Sequence, residues 1–244
     1  MTKPWPHRLG RWSIWLTLAS FTIAVIGLTM ARYDWIPKLS GFSALLGGGL
    51  VSLLAALLGL AALIGGRKHA ASSRSKVLLA ITVSLLYVGF LASRPLVAGK
   101  APAIHDITTD VAQPPQFETI VVRADNLVGV GTTENWQRIH AAAYSDLGPV
   151  TIAKPVEVVT ADAVRLANEA GWQVATSDLA RGHIEATVSV SYIRFHDDVV
   201  IRITPTADSK ASRVDMRSVS RVGVSDLGVN ARRIRAFLVA LAAT

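Results

Sequence analysis

The sequence has no cysteine. Disulfide bonds, thiolate metal sites and cysteine catalysis are therefore excluded, and neither an oxidising nor a reducing compartment is favoured. Acidic residues are almost missing from the first 99 residues, where Asp34 is the one acid beside ten lysines and arginines. Residues 100–244 carry fifteen basic and sixteen acidic residues, so the net charge of +8 comes from the N-terminal part alone. Nucleic-acid binding needs a basic folded domain, and the balanced C-terminal part argues against it.

Charge is also missing from three long apolar runs, at residues 12–30, 39–64 and 77–93. Each run is close to the roughly 20 residues that cross a bilayer as a helix. Trp5, Trp12 and Trp15 lie near one end of the first run and Trp35 lies past the other, positions that suit the headgroup level of a membrane. A cleaved signal peptide is the alternative for the first run, but the run is long and "LTMARYD" is a poor cleavage site. The sequence therefore predicts three transmembrane helices within a membrane domain at residues 1–98.

The positive residues around these runs indicate an orientation. They precede the first run and lie between the second and third, as Lys3, Arg8, Arg11, Arg67, Lys68, Arg74 and Lys76. Cytoplasmic segments of membrane proteins are enriched in Lys and Arg. We expect a multi-pass protein of the bacterial inner membrane, with a cytoplasmic N-terminus and a periplasmic C-terminal domain. The runs contain no Asp, Glu, Lys, Arg or His, which disfavours a pump or coupled transporter.

Small residues recur at every fourth position of the second run, as Ala44, Gly48, Ser52 and Ala56. Small side chains let helix backbones approach closely. Two interpretations stay open. The stripe packs among the three helices of this chain, or it contacts a helix of another membrane protein, in which case the chain is an accessory subunit of a membrane complex.

The C-terminal part predicts an α+β fold. Prolines mark residues 99–118 as an extended connector, and an extracytoplasmic domain follows at residues 119–244. "TTENWQRIHAAAYSDLG" predicts a helix capped by Thr133, "TADAVRLANEAG" a helix capped by Thr160, and a third helix starts near Asn230. "WQVATSD", "HIEATVSVSYI", "DVVIRIT" and "RVDMRSVSR" predict the strands of an antiparallel sheet. The helices are expected to cover its apolar face.

The charges of the last hairpin predict its register. Matching apolar faces requires paired residue numbers with an odd sum, and a sum of 417 places Arg202 opposite Asp215. Neighbouring registers place Arg202 opposite another arginine, which is unfavourable. The polar face is then expected to carry one connected charged patch of Glu185, Ser191, Arg202, Asp215 and Arg217. His140 and His183 are expected at the surface.

The segment "RSVSRVGVSDLGVN", with "FHDDVVIRI" and "IHDITTDVAQPPQF", resembles the domain of unknown function 1499 family over about residues 104–237. The resemblance implies no activity. It implies that twelve residues match the family's motif: Asp197, Asp198, Arg202, Arg217, Ser218, Ser220, Arg221, Gly223, Asp226, Gly228, Asn230 and Arg232. Many members carry a cysteine-containing segment near the start of the domain, where this chain has "DVAQPPQF", so any role of those cysteines is absent here.

The start of the last helix is the candidate ligand site. Arg232 and Arg233 fall in its first turn, where cations oppose the helix dipole and call for negative charge. A bound phosphate or carboxylate could supply that charge at free N–H groups, and Gly223 and Gly228 would let the backbone approach it. The predicted anion site comprises Arg217, Ser218, Ser220, Arg221, Gly223, Asp226, Gly228, Asn230 and Arg232, supported by Asp197, Asp198, Arg202 and Asp215. The alternative is structural, with Asp226, Asp197 or Asp198 paired to Arg217, Arg221 or Arg232.

Histidines and acids offer a second hypothesis. A metal site or the centre of an envelope hydrolase could be assembled from His105, Asp106, Asp110, His196, Asp197 and Asp198, although no ligand spacing is diagnostic. "GVSDL" lacks the final glycine of a hydrolase elbow. We therefore expect no metal and no cofactor. The expected function is a non-enzymatic module that binds a partner protein, a small anionic ligand or a lipid headgroup, with the hydrolase as the alternative.

Overall fold

The computed structural model describes residues 4–66, 71–98, 101–207 and 210–244. The chain divides into two compact units, one holding three long N-terminal helices and the other holding the sheet and the later helices. This arrangement confirms the predicted α+β class with three apolar helices before an antiparallel sheet. Three positive residues used to predict the orientation, Lys3, Arg67 and Lys68, lie outside the described residues.

The three N-terminal helices are α1 (Trp5–Arg32), α2 (Lys38–Gly65) and α3 (Ala71–Ala98). Each has 28 residues, which makes it about 42 Å long, more than the roughly 30 Å of a bilayer's hydrocarbon core. Their apolar windows have mean hydropathies of 1.9, 2.2 and 1.9. Length and composition therefore indicate association with a membrane.

Small and hydroxyl-bearing residues fill the contacts among these helices. The Thr17 and Ser84 hydroxyls lie 3.0 Å apart, joining α1 to α3, and the Tyr87 hydroxyl donates to the Leu45 carbonyl of α2 at 2.7 Å. In the predicted stripe of α2, Ser52 is fully buried and Ala56 is 5% exposed. Gly48 is also buried, and Ala44 lies half-buried against α1. The stripe thus takes part in packing within the unit.

In its described residues, the second unit contains one antiparallel sheet of six strands. The strands are β1 (Asp106–Thr108), β2 (Val150–Ile152), β3 (Gln173–Asp178), β4 (His183–Val190), β5 (Phe195–Pro205) and β6 (Ser212–Ser220). Their order is β1-β6-β5-β4-β3, and β2 also pairs with β6. The helices are α4 (Thr133–Ala143), α5 (Val156–Glu169) and α6 (Val229–Ala242).

The β5–β6 register is the predicted one, with Arg202 opposite Asp215. The short strands β1 and β2 were not predicted. Because β1 pairs with β6 through Asp106–Thr108, part of the segment expected to be a connector, residues 99–118, belongs to the sheet. β1 was not predicted because it has only three residues, lies in proline-rich sequence and pairs with a strand more than 100 residues away.

Two predicted helix caps are wrong by position. The N-cap of α4 is Thr132, whose hydroxyl accepts from the Asn135 N–H, and not Thr133. α5 begins one turn earlier than expected, directly after Pro155. Thr160 therefore lies inside the helix, where its hydroxyl donates to the Val156 carbonyl at 2.7 Å. Proline suits the residue before a helix because its missing N–H is not needed there.

The hydrophobic core lies between one face of the sheet and the three helices, as predicted. Ile201 and Met216 of the sheet are at most 1% exposed and belong to one buried cluster with Ile234 of α6. Trp172 stacks on Phe237 with ring centroids 4.7 Å apart. Full burial of one aliphatic side chain such as Ile201 or Ile234 stabilises a fold by about 1.5–3 kcal/mol. The apolar face of the sheet therefore holds the helices in place.

Candidate functional site

Residues 109–131 are called here the covering segment, and its first part, residues 109–120, lies on the polar face of the sheet. Glu185, at the middle of this face, is fully buried. Its carboxylate accepts three successive backbone N–H groups of the covering segment, from Glu118 at 2.6 Å, Thr119 at 2.9 Å and Ile120 at 2.6 Å. The His183 Nε2 lies 2.8 Å from the same carboxylate. The part of the polar face around Glu185 is thus buried inside the domain.

The donors around Glu185 outweigh its desolvation. Burial alone would raise the pKa of Glu185, but the backbone N–H groups and His183 lower it below its ordinary value. A carboxylate that accepts several N–H groups is stabilised in its charged form. The expectation that His183 and His140 lie at the surface is wrong, since their exposed fractions are 9% and 0%. His140 accepts the Thr108 N–H at 3.1 Å, and burial lowers its pKa.

Arg202 and Asp215 form the centre of the charged patch that the register predicts. Asp215, 1% exposed, accepts from Arg202 at 3.2 Å and from Arg213 at 3.0 Å. Arg202 also contacts Asp110 of the covering segment at 3.0 Å. Ser191 is not part of this patch, because it lies exposed in the β4–β5 turn with a φ of 64°. The strand alternation ends at Val190, one residue before it.

Arg217 is bound within the domain on two sides. Its Nε and Nη2 donate to the two carboxylate oxygens of Asp106 at 2.9 and 2.7 Å. Its Nη1 donates to the Pro115 carbonyl at 3.2 Å, and its guanidinium lies 5.8 Å from the Phe117 ring centre. The sequence did not indicate Asp106 as the partner of Arg217, because only the unpredicted pairing of β1 with β6 brings them together.

Arg221 pairs with Asp198 at the end of the sheet. Its Nε and Nη2 both lie 2.8 Å from the Asp198 oxygens, and Nη2 also donates to the Thr187 hydroxyl at 3.0 Å. The hydrogen bond with Asp198 raises the pKa of Arg221. The side chain of Arg221 is 48% exposed, whereas Asp198 is buried. This pair is one of those named by the structural alternative.

Ser218, Ser220 and Asn230 meet on the opposite, helix-covered face. Asn230 accepts from the Ser218 hydroxyl at 2.9 Å and donates to the Ser220 hydroxyl at 3.1 Å. Arg233 donates to the Asn230 oxygen and pairs with Asp197 at 2.6 Å. These polar groups fix the first turn of α6 against β6, and the positive charge of Arg233 is compensated by Asp197.

The start of α6 is occupied by a carboxylate of the chain itself. Asp226 accepts the Gly228 N–H at 2.9 Å and the Asn230 N–H at 2.5 Å. Burial is the main reason that the pKa of Asp226 is raised. Gly223 and Gly228 have φ values of 91° and 76°, which favour glycine. Two N–H groups that the sequence offered to a ligand anion therefore bind Asp226.

Arg232 differs from the other arginines of the predicted site. It is exposed and donates to the Leu227 carbonyl at 3.2 Å, and no carboxylate pairs with it in the described part of the chain. The structure thus brings the predicted site residues into one region. It distributes them between two faces of the sheet, and most of their charged groups form ion pairs within the domain.

The histidine and acid cluster does not assemble. His105 is 2% exposed, and burial, followed by the nearby Arg123, lowers its pKa. Asp106, Asp197 and Asp198 are each bound to an arginine. Among residues 4–66, 71–98, 101–207 and 210–244, no three His, Asp or Glu side chains are grouped to hold a metal ion. A buried imidazole and arginine-bound carboxylates are poorly placed for general acid or base catalysis.

Exposed apolar residues lie in the loop that follows β6 and beside it. Val224 and Leu227 in the loop at residues 221–228, called here the motif loop, are 48% and 52% exposed. Leu227 has a φ of 54°. The motif loop contacts the covering segment, where Arg123 donates to the Gly223 carbonyl at 2.7 Å. Val128 in the covering segment is 38% exposed. Sequence reasoning missed this surface because a leucine in a left-handed conformation has no sequence signature.

The geometry defines an α+β domain stabilised by buried arginine–carboxylate pairs and preceded by three candidate membrane helices. Residues 106–241 match the model of a family described as "Protein of unknown function (DUF1499)", and the chain belongs to this family. The match starts at the first residue of β1 and ends within α6, so it covers all six strands and confirms the resemblance seen in the sequence. No curated protein matches the chain.

Proposed function

We propose that this chain is a non-enzymatic binding module tethered to the bacterial inner membrane, with its second unit in the periplasm. The second unit binds a partner protein through Val224, Leu227 and Arg232, called here the partner surface. Three helices of sufficient length support the tether. The positive residues near the starts of α1 and α3 support the orientation, because Lys and Arg are enriched on the cytoplasmic side.

One observation carries the binding proposal. Apart from Arg232, the charged residues of the family motif are bound inside the domain, where Asp106, Asp197 and Asp198 each neutralise an arginine. These pairs hold the motif loop from both ends and leave Val224 and Leu227 exposed to solvent. A rigid loop that presents apolar side chains beside a cation is typical of a protein-binding surface.

The conformation of Leu227 supports the same conclusion. A non-glycine residue in the left-handed region costs about 1–2 kcal/mol. Leu227 is held there because its N–H donates to the Ser225 hydroxyl at 3.2 Å while Asp226 binds the next N–H. Arg232, without a carboxylate partner in the described residues, lies beside it. The partner is therefore expected to present an apolar pocket with an acidic rim.

Site-specific photocrosslinking in native membranes tests this function. A photoreactive residue replacing Leu227 in the full-length chain should crosslink to one protein, identified by mass spectrometry. The same residue replacing Leu179, which is 45% exposed in the β3–β4 connection, is the matched control and should not crosslink to it. Arg232→Gln should weaken the crosslink from position 227. No crosslink at position 227, or equal crosslinks from both positions, would count against the proposal.

A small anion is the competing ligand class, and the same protein can distinguish it. Native mass spectrometry of the full-length chain would show a retained anion that Arg232→Gln removes. A retained anion without any protein crosslink from position 227 would assign the surface to an anionic ligand. A protein crosslink from position 227 that Arg232→Gln weakens would assign it to a partner protein.

A further inference from the structure

The first unit contains a cavity of about 360 Å³ at the end where α1 begins, α2 ends and α3 begins. All three helices line it. Basic residues lie toward the helix ends, with Arg11 on α1 and Arg74 and Lys76 on α3. Apolar residues lie deeper along the helices, among them Ile14 and Leu18. Seven residues separate Arg11 from Leu18, so the lining changes from basic to apolar over about 10 Å of helix.

The positive charge of this cavity has no counterpart in the first unit. Asp34 is the one acid among residues 1–99. It follows the opposite end of α1 and pairs at 2.8 Å with Lys38, the first residue of α2. Within the described residues, Arg11, Arg74 and Lys76 have no carboxylate partner. The His7 Nδ1 atom, in the lining of the cavity, is shielded from solvent and has no hydrogen-bond partner there. A complementary anion would therefore come from outside the unit.

We infer that this cavity binds one anionic glycerophospholipid. The phosphate contacts Arg11, Arg74 and Lys76, and an acyl chain lies along Ile14 and Leu18. Basic pockets between membrane helices recognise anionic headgroups, and each Lys or Arg near the membrane surface contributes about fivefold in affinity. Trp15, which also lines the cavity, suits the boundary between headgroup and acyl chain.

The change from basic to apolar lining separates this ligand from two others. Free phosphate would satisfy the cations but would leave the apolar part of the cavity without a partner. A zwitterionic lipid would bring its own ammonium group close to three cations. Positive residues at a helix end also set membrane orientation, but that role requires neither a cavity nor contributions from separate helices.

Native mass spectrometry of the full-length protein in detergent tests the inference. The purified chain is titrated with phosphatidylglycerol, phosphatidylcholine or inorganic phosphate. We expect one bound phosphatidylglycerol, at least about tenfold weaker phosphatidylcholine binding and no retained phosphate. Arg11→Gln combined with Arg74→Gln should weaken phosphatidylglycerol binding about 30-fold, because two cation contacts are lost.

Arg94→Gln is the matched control. Arg94 lies near the other end of α3, 4.4 Å from the Phe90 ring centre, so its replacement removes one cation from the same helix but away from the cavity. Binding should be unchanged in this variant. If the double variant does not fold, Lys76→Gln alone should still weaken binding about fivefold.

Three results would overturn the inference: equal binding of the two lipids, an equal loss of binding in Arg94→Gln, or displacement of the lipid by millimolar phosphate. The cavity lies entirely in the first unit, so these outcomes are independent of the partner surface on the second.

Discussion

Arg217 and Asp106 form a two-point ion pair between strands that are 111 residues apart in sequence. Both side chains are nearly buried, with exposed fractions of 12% and 5%. The pair joins the first strand of the domain to the last and holds the covering segment through the Pro115 carbonyl. An arginine of the family motif thus holds the edge strand β1 against β6.

Arg217→Ala should lower the free energy of unfolding by about 3 kcal/mol, because it leaves the Asp106 carboxylate buried without its partner. Urea unfolding of the full-length protein in detergent measures this effect. Replacing Asp106 as well should cost less than the sum of the two single changes. Arg235→Ala is the control, since its pair with Asp146 is exposed and contributes about 0–1 kcal/mol. A similar small effect at Arg217 would contradict the structural role.

Glu185→Gln should lower the free energy of unfolding by about 2–3 kcal/mol at pH 7, because the charged acceptor of three backbone N–H groups is lost. The pKa of Glu185 is below its ordinary value in the folded chain. Its contribution is therefore present above the pKa of an unfolded glutamate and is lost as the pH falls through the lowered folded-state pKa. Unfolding measured from pH 7 to pH 3 should show the wild type and the variant converging, and parallel curves would refute this assignment.

Asp226→Ala should destabilise the chain by about 1–2 kcal/mol, because α6 loses the acceptor for two N–H groups. Asp226→Asn keeps one acceptor oxygen and should cost less. Burial raises the pKa of Asp226 in the folded state, so its ionisation reduces stability as the pH rises from the unfolded to the folded pKa. Chemical unfolding of both variants at pH 7 tests the order, and an equally costly Asn variant would contradict it.

Gly48→Ala should lower the melting temperature of the first unit in detergent, whereas Gly47→Ala should not. A methyl group at Gly48 would lie 2.7 Å from the Ser20 carbonyl oxygen of α1 and 2.8 Å from the Tyr87 hydroxyl. A methyl group at Gly47 would meet no atom within 4 Å. The two variants change the same residue type on neighbouring positions of α2, so equal melting temperatures would show that the helices do not pack in this way.

Alkaline phosphatase fused after Arg94 should be active, because the enzyme folds in the periplasm and three crossings from a cytoplasmic N-terminus end there. The same fusion within the loop between α2 and α3 should be inactive. Enzyme activity in whole cells, normalised to fusion abundance, gives the result. An inactive fusion after Arg94 would reverse the proposed orientation.

Sequence periodicity was sufficient for the elements with regular patterns. The four long strands and α6 were predicted because their apolar residues repeat along the chain, and the three membrane-length helices because their apolar runs are long and uncharged. The placement of Arg202 opposite Asp215 followed from side-chain alternation and charge. The predicted positions of the helix starts were less accurate. Thr160 lies inside α5 because the apolar pattern of that helix begins before it.

The sequence selected the candidate site residues by their types, but it did not show their roles. Arg217, Arg221 and Asp226 have the composition of an anion site, and sequence cannot show whether such groups bind a ligand or one another. Asp106 was assigned to a possible metal or hydrolase cluster, whereas the structure pairs it with Arg217. Leu227 was not selected, because its exposure and left-handed conformation depend on the fold of the motif loop.

The sequence alone determined what repeats locally: three membrane-length helices, an alternating sheet with its last register, and a charge surplus confined to one end. The tertiary structure alone decided which charges meet, because Glu185 and the amides of Glu118–Ile120 approach one another only after the covering segment lies on the sheet. Burial of a polar face depends on a segment distant in sequence. The local pattern of a strand does not indicate which segment will cover that face.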